Sequence, residues 1–153
     1  MIKLNTERLI IYTASRDEMQ KIIEDQADDI LKMAYREMLQ GSLDHPDQWA
    51  WYAIWIIERK DGSKVGDLCF KGLNDDGSVE IGYGISTERQ GRGYATEAVD
   101  AMVSWALRQS EVRRVEAETE PDNKASQRVL EKCGFIPTGT TGEEGPRFVK
   151  LVR

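Results

Sequence analysis

Val79-Glu80-Ile81-Gly82-Tyr83-Gly84-Ile85, then Ser86-Thr87-Glu88-Arg89, then Gln90-Gly91-Arg92-Gly93-Tyr94-Ala95-Thr96 and on to Leu107 read as strand, glycine-rich turn and helix. Val79, Ile81, Tyr83 and Ile85 alternate with Glu80, Gly82 and Gly84 at the two-residue period of a pleated strand. From Ala95 the period changes: Val99, Met102, Val103, Ala106 and Leu107 fall on one face of a helix. The glycines therefore sit at a helix N-terminus, where the first turn leaves backbone N–H groups without partners and carries the positive end of the macrodipole. Gly91 and Gly93 tolerate positive φ and close backbone approach, and Arg92 adds a charged donor, so the loop suits a phosphate-bearing ligand. A turn whose glycines serve only its geometry is the other reading of the same residues. The third glycine of the dinucleotide fingerprint is missing, and no glycine-rich loop runs into Lys-Ser or Lys-Thr.

At 153 residues the chain suits a single domain, residues 1–153, long enough to bury roughly two-thirds of its unfolded surface. A net charge of −6 with scattered Lys and Arg argues against a nucleic-acid partner and suits a cationic one. Cys69 and Cys133 are too few for a disulfide framework, have no metal-ligand spacing, and read as buried thiols. His45 is the only histidine, so a His-based triad and a multi-histidine metal site are excluded by counting, and no metal is expected. No Gly-x-Ser-x-Gly elbow occurs. Met1-Ile2-Lys3-Leu4-Asn5 lacks an apolar signal core and no run is long enough to span a bilayer, so no membrane partner and a cytoplasmic location are expected.

Around the central stretch, Leu4 to Tyr12 reads as a first strand, interrupted by Asn5 to Arg8. Ser15-Arg16-Asp17-Glu18 has capping-box spacing ahead of a helix with Met19, Ile22 and Ile23 on its apolar face. A second helix spans Ile30 to Gln40, with Gly41 as its stop. Trp49 to Ile57 is dense in aromatic and β-branched residues and reads as a strand covered on both faces, with Trp49, Trp51 and Trp55 on one side. Val65 to Leu73 and Val79 to Ile85 complete an antiparallel meander. Val112 to Glu118 gives a fifth strand, Asn123 caps a helix over Lys124 to Cys133, and two further strands begin at Phe135 and Arg147. The expected fold is α/β: a mixed, mostly antiparallel sheet of about seven strands with helices on both faces.

Gln90-Gly91-Arg92-Gly93-Tyr94-Ala95 resembles the Gln/Arg-x-x-Gly-x-Gly/Ala signature of the GNAT superfamily of acyl-CoA-dependent N-acyltransferases. Asn123-Lys124-Ala125-Ser126 with Gly134-Phe135 is similar to the Asn-x-x-Ser…Gly-Phe segment of its RimJ/RimL-like branch, named for ribosomal-protein N-acetyltransferases. Thr6-Glu7-Arg8-Leu9 and Val79-Glu80-Ile81-Gly82-Tyr83 resemble that branch too, so the likeness covers nearly the whole chain in order. The resemblance implies an N-acetyltransferase that takes acetyl-CoA as co-substrate, inserted where the fourth and fifth strands splay apart. It implies an amine acceptor, a protein N-terminus or a small amine, and a homodimer. Acyl-CoA would lie against Ile85, Ser86, Thr87, Gln90, Gly91, Arg92, Gly93, Tyr94, Ala95 and Thr96, with Asn123 on its pantetheine arm. Backbone N–H groups around Ile85 to Thr87 would polarise the thioester carbonyl.

Acyl transfer to an amine needs a neutral nucleophile, a polarised carbonyl and a proton for the leaving thiolate. A lysine-type amine costs about 4.6 kcal/mol to deprotonate at pH 7, an α-amine only about 1. Glu80 is the candidate base and Glu118 the second; an exposed strand carboxylate is the plainer reading of Glu80. Many family members protonate the thiolate with a Tyr whose position here is Leu130, so Ser126 becomes the candidate acid. That departure keeps a second reading open, a non-catalytic acyl-CoA-binding sensor or scaffold.

Overall fold

In the computed structural model, which describes residues 1–152, the chain runs β1 (Lys3–Asn5), β2 (Leu9–Thr13), α1 (Arg16–Asp25), α2 (Asp29–Asp44), α3 (Trp49–Tyr52), β3 (Ile54–Arg59), β4 (Lys64–Phe70), β5 (Ser78–Ile85), α4 (Tyr94–Leu107), β6 (Arg114–Glu118), α5 (Lys124–Lys132), β7 (Ile136–Thr141) and β8 (Pro146–Leu151). The strands form one eight-stranded sheet in the order β1-β2-β3-β4-β5-β6-β8-β7. Every neighbouring pair is antiparallel except β5 with β6, the pair joined by α4, because a parallel neighbour requires a crossover long enough to hold a helix.

That parallel pairing is short. It covers Ser78↔Arg114, Val79↔Val115 and Glu80↔Glu116 and stops there, so beyond Glu80 the two strands part in the middle of the sheet. Helices cover both faces. On one face Val99, Met102, Val103 and Ala106 of α4 and Leu130 of α5 join Trp55, Phe70 and Val115 in the larger core. On the other, Met19 and Ile23 of α1 and Tyr35 of α2 pack on Ile54 and Ile56 of β3. The Ser15 capping box forms: the hydroxyl accepts the Glu18 N–H while the Glu18 carboxylate accepts the Ser15 N–H.

Four local expectations change. The first strand is a hairpin, β1 with β2 in the register Lys3↔Tyr12, and the sheet has eight strands. Gly41 does not stop α2, which runs on to Asp44. A Cβ there would lie 2.9 Å from the Tyr52 ring, so the glycine admits a close-packed aromatic. His45 ends α2 with its ring stacked on Tyr52 at 4.2 Å. Trp49 to Tyr52 is a turn of helix and the strand begins only at Ile54. Tertiary packing outweighs β-propensity there: Trp49 Nε1 donates to the Ala14 carbonyl, while Trp51 and Trp55 pack with tilted rings against Trp105 at 5.0 and 5.1 Å.

Candidate active site

The turn after β5 folds as the glycines require. Gly91 has φ +75° and Gly93, the residue that caps α4, has φ +80°. Gln90 closes the turn by donating from Nε2 to the Ile85 carbonyl at 3.0 Å. No side chain caps α4, so the unpaired N–H groups of its first turn face outward with the helix dipole behind them. They open on a cavity of about 680 Å³. Its lining includes Ile85, Gln90, Gly91, Gly93, Tyr94, Ala95, Thr96, Asn123 and Ser126; Ser86, Thr87 and Arg92 lie outside it. The Ser86 N–H already donates to the Val65 carbonyl at 2.8 Å, which removes it from the donors expected to polarise a thioester.

Three cations at this cavity are absent from the sequence expectations. Arg89, Arg128 and Lys132 all line it, and Arg89 Nε is buried with no hydrogen-bond partner. A buried donor left open is costly unless something accepts from it, so the cradle fits an anion such as the phosphates of a coenzyme A. The four-residue spacing of Arg128 and Lys132 on α5 is a signal the sequence did offer. The loop is also clamped from the N-terminal hairpin. Thr6 and Arg8 hold Glu97 of α4 at 2.5 and 2.7 Å, Arg8 Nη1 donates to the Arg92 carbonyl at 2.9 Å, and its guanidinium lies 4.5 Å over the Tyr94 ring.

A second cavity, about 290 Å³, opens in the splay beyond Glu80. Lys71, Gly82, Glu118, Thr119, Glu120 and Glu144 are in its wall, and three residues belong to both cavities: Tyr83, Asn123 and Ser126. Asn123 caps α5, its Oδ1 accepting from the Ser126 N–H at 3.1 Å. Tyr83 donates from its hydroxyl to Ser126 Oγ at 3.1 Å. Burial raises the Tyr83 phenol above its ordinary 10, and the Ser126 hydrogen bond only partly offsets this. Leu130, 1% exposed, is an apolar wall.

Glu80 lines neither cavity. Lys71 Nζ meets one of its oxygens at 2.7 Å and Arg147 Nη2 the other at 2.9 Å. Burial alone would raise its pKa, but those two partners together hold it below the ordinary 4.5. Arg147 also reaches Glu116 at 3.2 Å and Glu118 at 2.6 Å, and Glu118 accepts the Glu144 N–H at 2.8 Å. Both cysteines are free and buried, with thiols pushed up to about 11 chiefly by that burial; Cys133 Sγ sits against the Thr96 carbonyl. Among the described residues no group of acidic, histidine or cysteine side chains could hold a metal ion, and no helix is long and apolar enough to cross a membrane.

A family model for the acetyltransferase (GNAT) domain matches residues 5–136. The uncharacterized N-acetyltransferase YjdG of Bacillus subtilis (strain 168) is 42% identical over 84 residues, 54% of this chain and 50% of the relative. The ribosomal-protein-serine acetyltransferase of Escherichia coli (strain K12) is 28% identical over 89 residues, 58% and 50%. The chain thus spans about half the length of these curated relatives. Among solved structures, RimL, a ribosomal L7/L12 α-N-protein acetyltransferase in complex with coenzyme A, aligns with a TM-score of 0.79 at 15% identity over 99% of this chain and 98% of that one. Spermidine N-acetyltransferase from Vibrio cholerae, in complex with CoA and spermine, aligns at 0.74 and 16% identity over 96% and 97%. At such identities the structures establish the shared fold.

Proposed function

The chain belongs to the GNAT acetyltransferase family, and from that premise we propose that it transfers the acetyl group of acetyl-CoA to a primary amine by direct attack in a ternary complex. The observation that carries this is the meeting of two cavities at Tyr83, Asn123 and Ser126, one built for anions and the other lined by acids. Acetyl-CoA would lay its phosphates on the first turn of α4 and on Arg89, Arg128 and Lys132, with its pantetheine arm along the free edge of β5. The acceptor would enter the second cavity, where Glu118, Glu120 and Glu144 suit a cation. Ser126 would stabilise the departing thiolate, with Asn123 fixing its backbone.

Glu80, the candidate base, is held by two cations, and a carboxylate so held accepts a proton poorly. That favours an acceptor needing little help. An α-amine costs about 1 kcal/mol to neutralise at pH 7 against about 4.6 for a lysine-type amine, so a protein N-terminus is the acceptor class proposed. Glu80 would then act through Lys71, which lines the acceptor cavity, and through Arg147, which holds Glu118 of its wall. The reading of a non-catalytic acyl-CoA-binding module draws support from one observation, the buried Leu130 where many relatives carry the Tyr acid.

Thiol release from acetyl-CoA tests both. Offered peptides with N-terminal Ala, Ser or Met, polyamines and aminoglycosides at pH 7, the protein is expected to acetylate the peptides fastest. Faster transfer to polyamines would overturn the acceptor class, and tight acetyl-CoA binding without thiol release from any acceptor would favour the binding module.

A further inference from the structure

We infer that Tyr83 is a positioning residue for acetyl transfer: by donating to Ser126 Oγ, its phenol turns the Ser126 O–H toward the thioester sulfur. This rests on the transferase reading above. A serine hydroxyl carries one proton and two acceptor sites. Since Ser126 Oγ accepts from the phenol at 3.1 Å, its own proton must point elsewhere, and the junction of the two cavities is the open direction. Asn123 Oδ1 accepts from the Ser126 backbone N–H and not from its hydroxyl. Leu130 brings no donor to the junction. The sequence pattern had placed Tyr83 only among the apolar alternation of β5, yet its hydroxyl is the one phenol on the seam.

In the step itself the acceptor nitrogen bonds to the acetyl carbon and the C–S bond breaks, the sulfur leaving with the electron pair. The nitrogen gives up one proton to solvent water and the thiolate takes one up from solvent water, so the protons balance and coenzyme A leaves as the thiol. Ser126 donates its hydrogen bond to the sulfur as charge develops there. Tyr83 neither gains nor loses a proton; it holds the rotor that would otherwise spin among several directions.

The test compares the wild type with Tyr83→Phe, Ser126→Ala and the double variant in steady-state acetyl transfer to a seryl peptide and to spermidine, with acetyl-CoA affinity measured by calorimetry. Tyr83→Phe is expected to lower kcat about tenfold, the effect of one lost oriented hydrogen bond. The acetyl-CoA Kd should stay within about twofold. In the Ser126→Ala background the same change should have no further effect, because the hydroxyl it orients is gone. Wild-type kcat in Tyr83→Phe, or a double variant in which the two losses multiply, would overturn the inference, as would a parallel loss of acetyl-CoA affinity and melting temperature. A wild type that releases no thiol with either acceptor would overturn the transferase reading for these amines and this inference with it. An active wild type with an unaffected Tyr83→Phe would overturn this inference alone.

Discussion

The phosphate-side loop draws its polar groups from neighbours in the chain: Gly91 to Thr96 supply the turn, the cap and the free N–H groups within a single segment. The acceptor-side wall draws its groups from Lys71 just after β4, from β5, β6 and α5, and from the segments around Glu120 and Glu144, and the ion pair beside it, Glu80 with Arg147, joins residues 67 positions apart. A site made of consecutive backbone groups is fixed once the local conformation is fixed. A site made of ion pairs across strands depends on register, and its members hold one another's charges. One change in the first region should therefore remove ligand affinity, whereas one change in the second should trade stability and acceptor handling while sparing coenzyme affinity.

The largest effect is expected from Gly93→Val. A β-branched residue at φ +80° is strained by about 1–2 kcal/mol, and its Cβ would sit 3.3 Å from Arg8 Nη2. Calorimetry should show acetyl-CoA affinity reduced by about a hundredfold or more, a loss of about 2.7 kcal/mol or more of binding; affinity within threefold of wild type would break the comparison from the phosphate side.

Arg147→Leu comes second. It leaves Glu80, Glu116 and Glu118 facing one another without their shared cation. Because the cluster is partly solvent-screened, denaturant unfolding at pH 7 should register a loss of about 1–2 kcal/mol, with acetyl-CoA affinity unchanged. The pH dependence sharpens this. The folded pKa of Glu80 is depressed, so its contribution is present above the ordinary 4.5 and is lost as the pH falls through the lower folded value. Stability measured from pH 7 down to pH 3 should therefore converge between wild type and variant. A gap that widens toward acid would contradict the assignment.

Arg8→Leu should have the smallest effect. It removes the clamp from Glu97, the Arg92 carbonyl and the Tyr94 ring, all near the surface, so the acetyl-CoA KM should rise about threefold with kcat unchanged. An unchanged KM would show that the loop holds its shape without the hairpin.

Legibility followed the same division. The alternation of β5, the glycines at the helix start, the Ser15 capping box and the Asn123 cap are patterns of a few adjacent residues whose cause is local stereochemistry, and each appears in the structure where the sequence put it. Trp49 to Tyr52 misleads because aromatic density is what a strand and a packed helical turn share; packing against Trp105 decides between them. Gly41 misleads because a helix-stopping glycine and a glycine that admits a ring look alike without Tyr52 in place.

By itself, then, the sequence determined an α/β sheet with a glycine-capped helix start and a serine capped into α5, because backbone dihedrals and caps are set by neighbours along the chain. The family resemblance implied that these two strands splay; only the tertiary structure decided that β5 and β6 part at Glu80, that Arg147 takes up the Glu80 carboxylate, and that Tyr83 meets Ser126. Those contacts depend on strand register and on side chains brought together from distant segments, and no local pattern encodes a distance across a sheet.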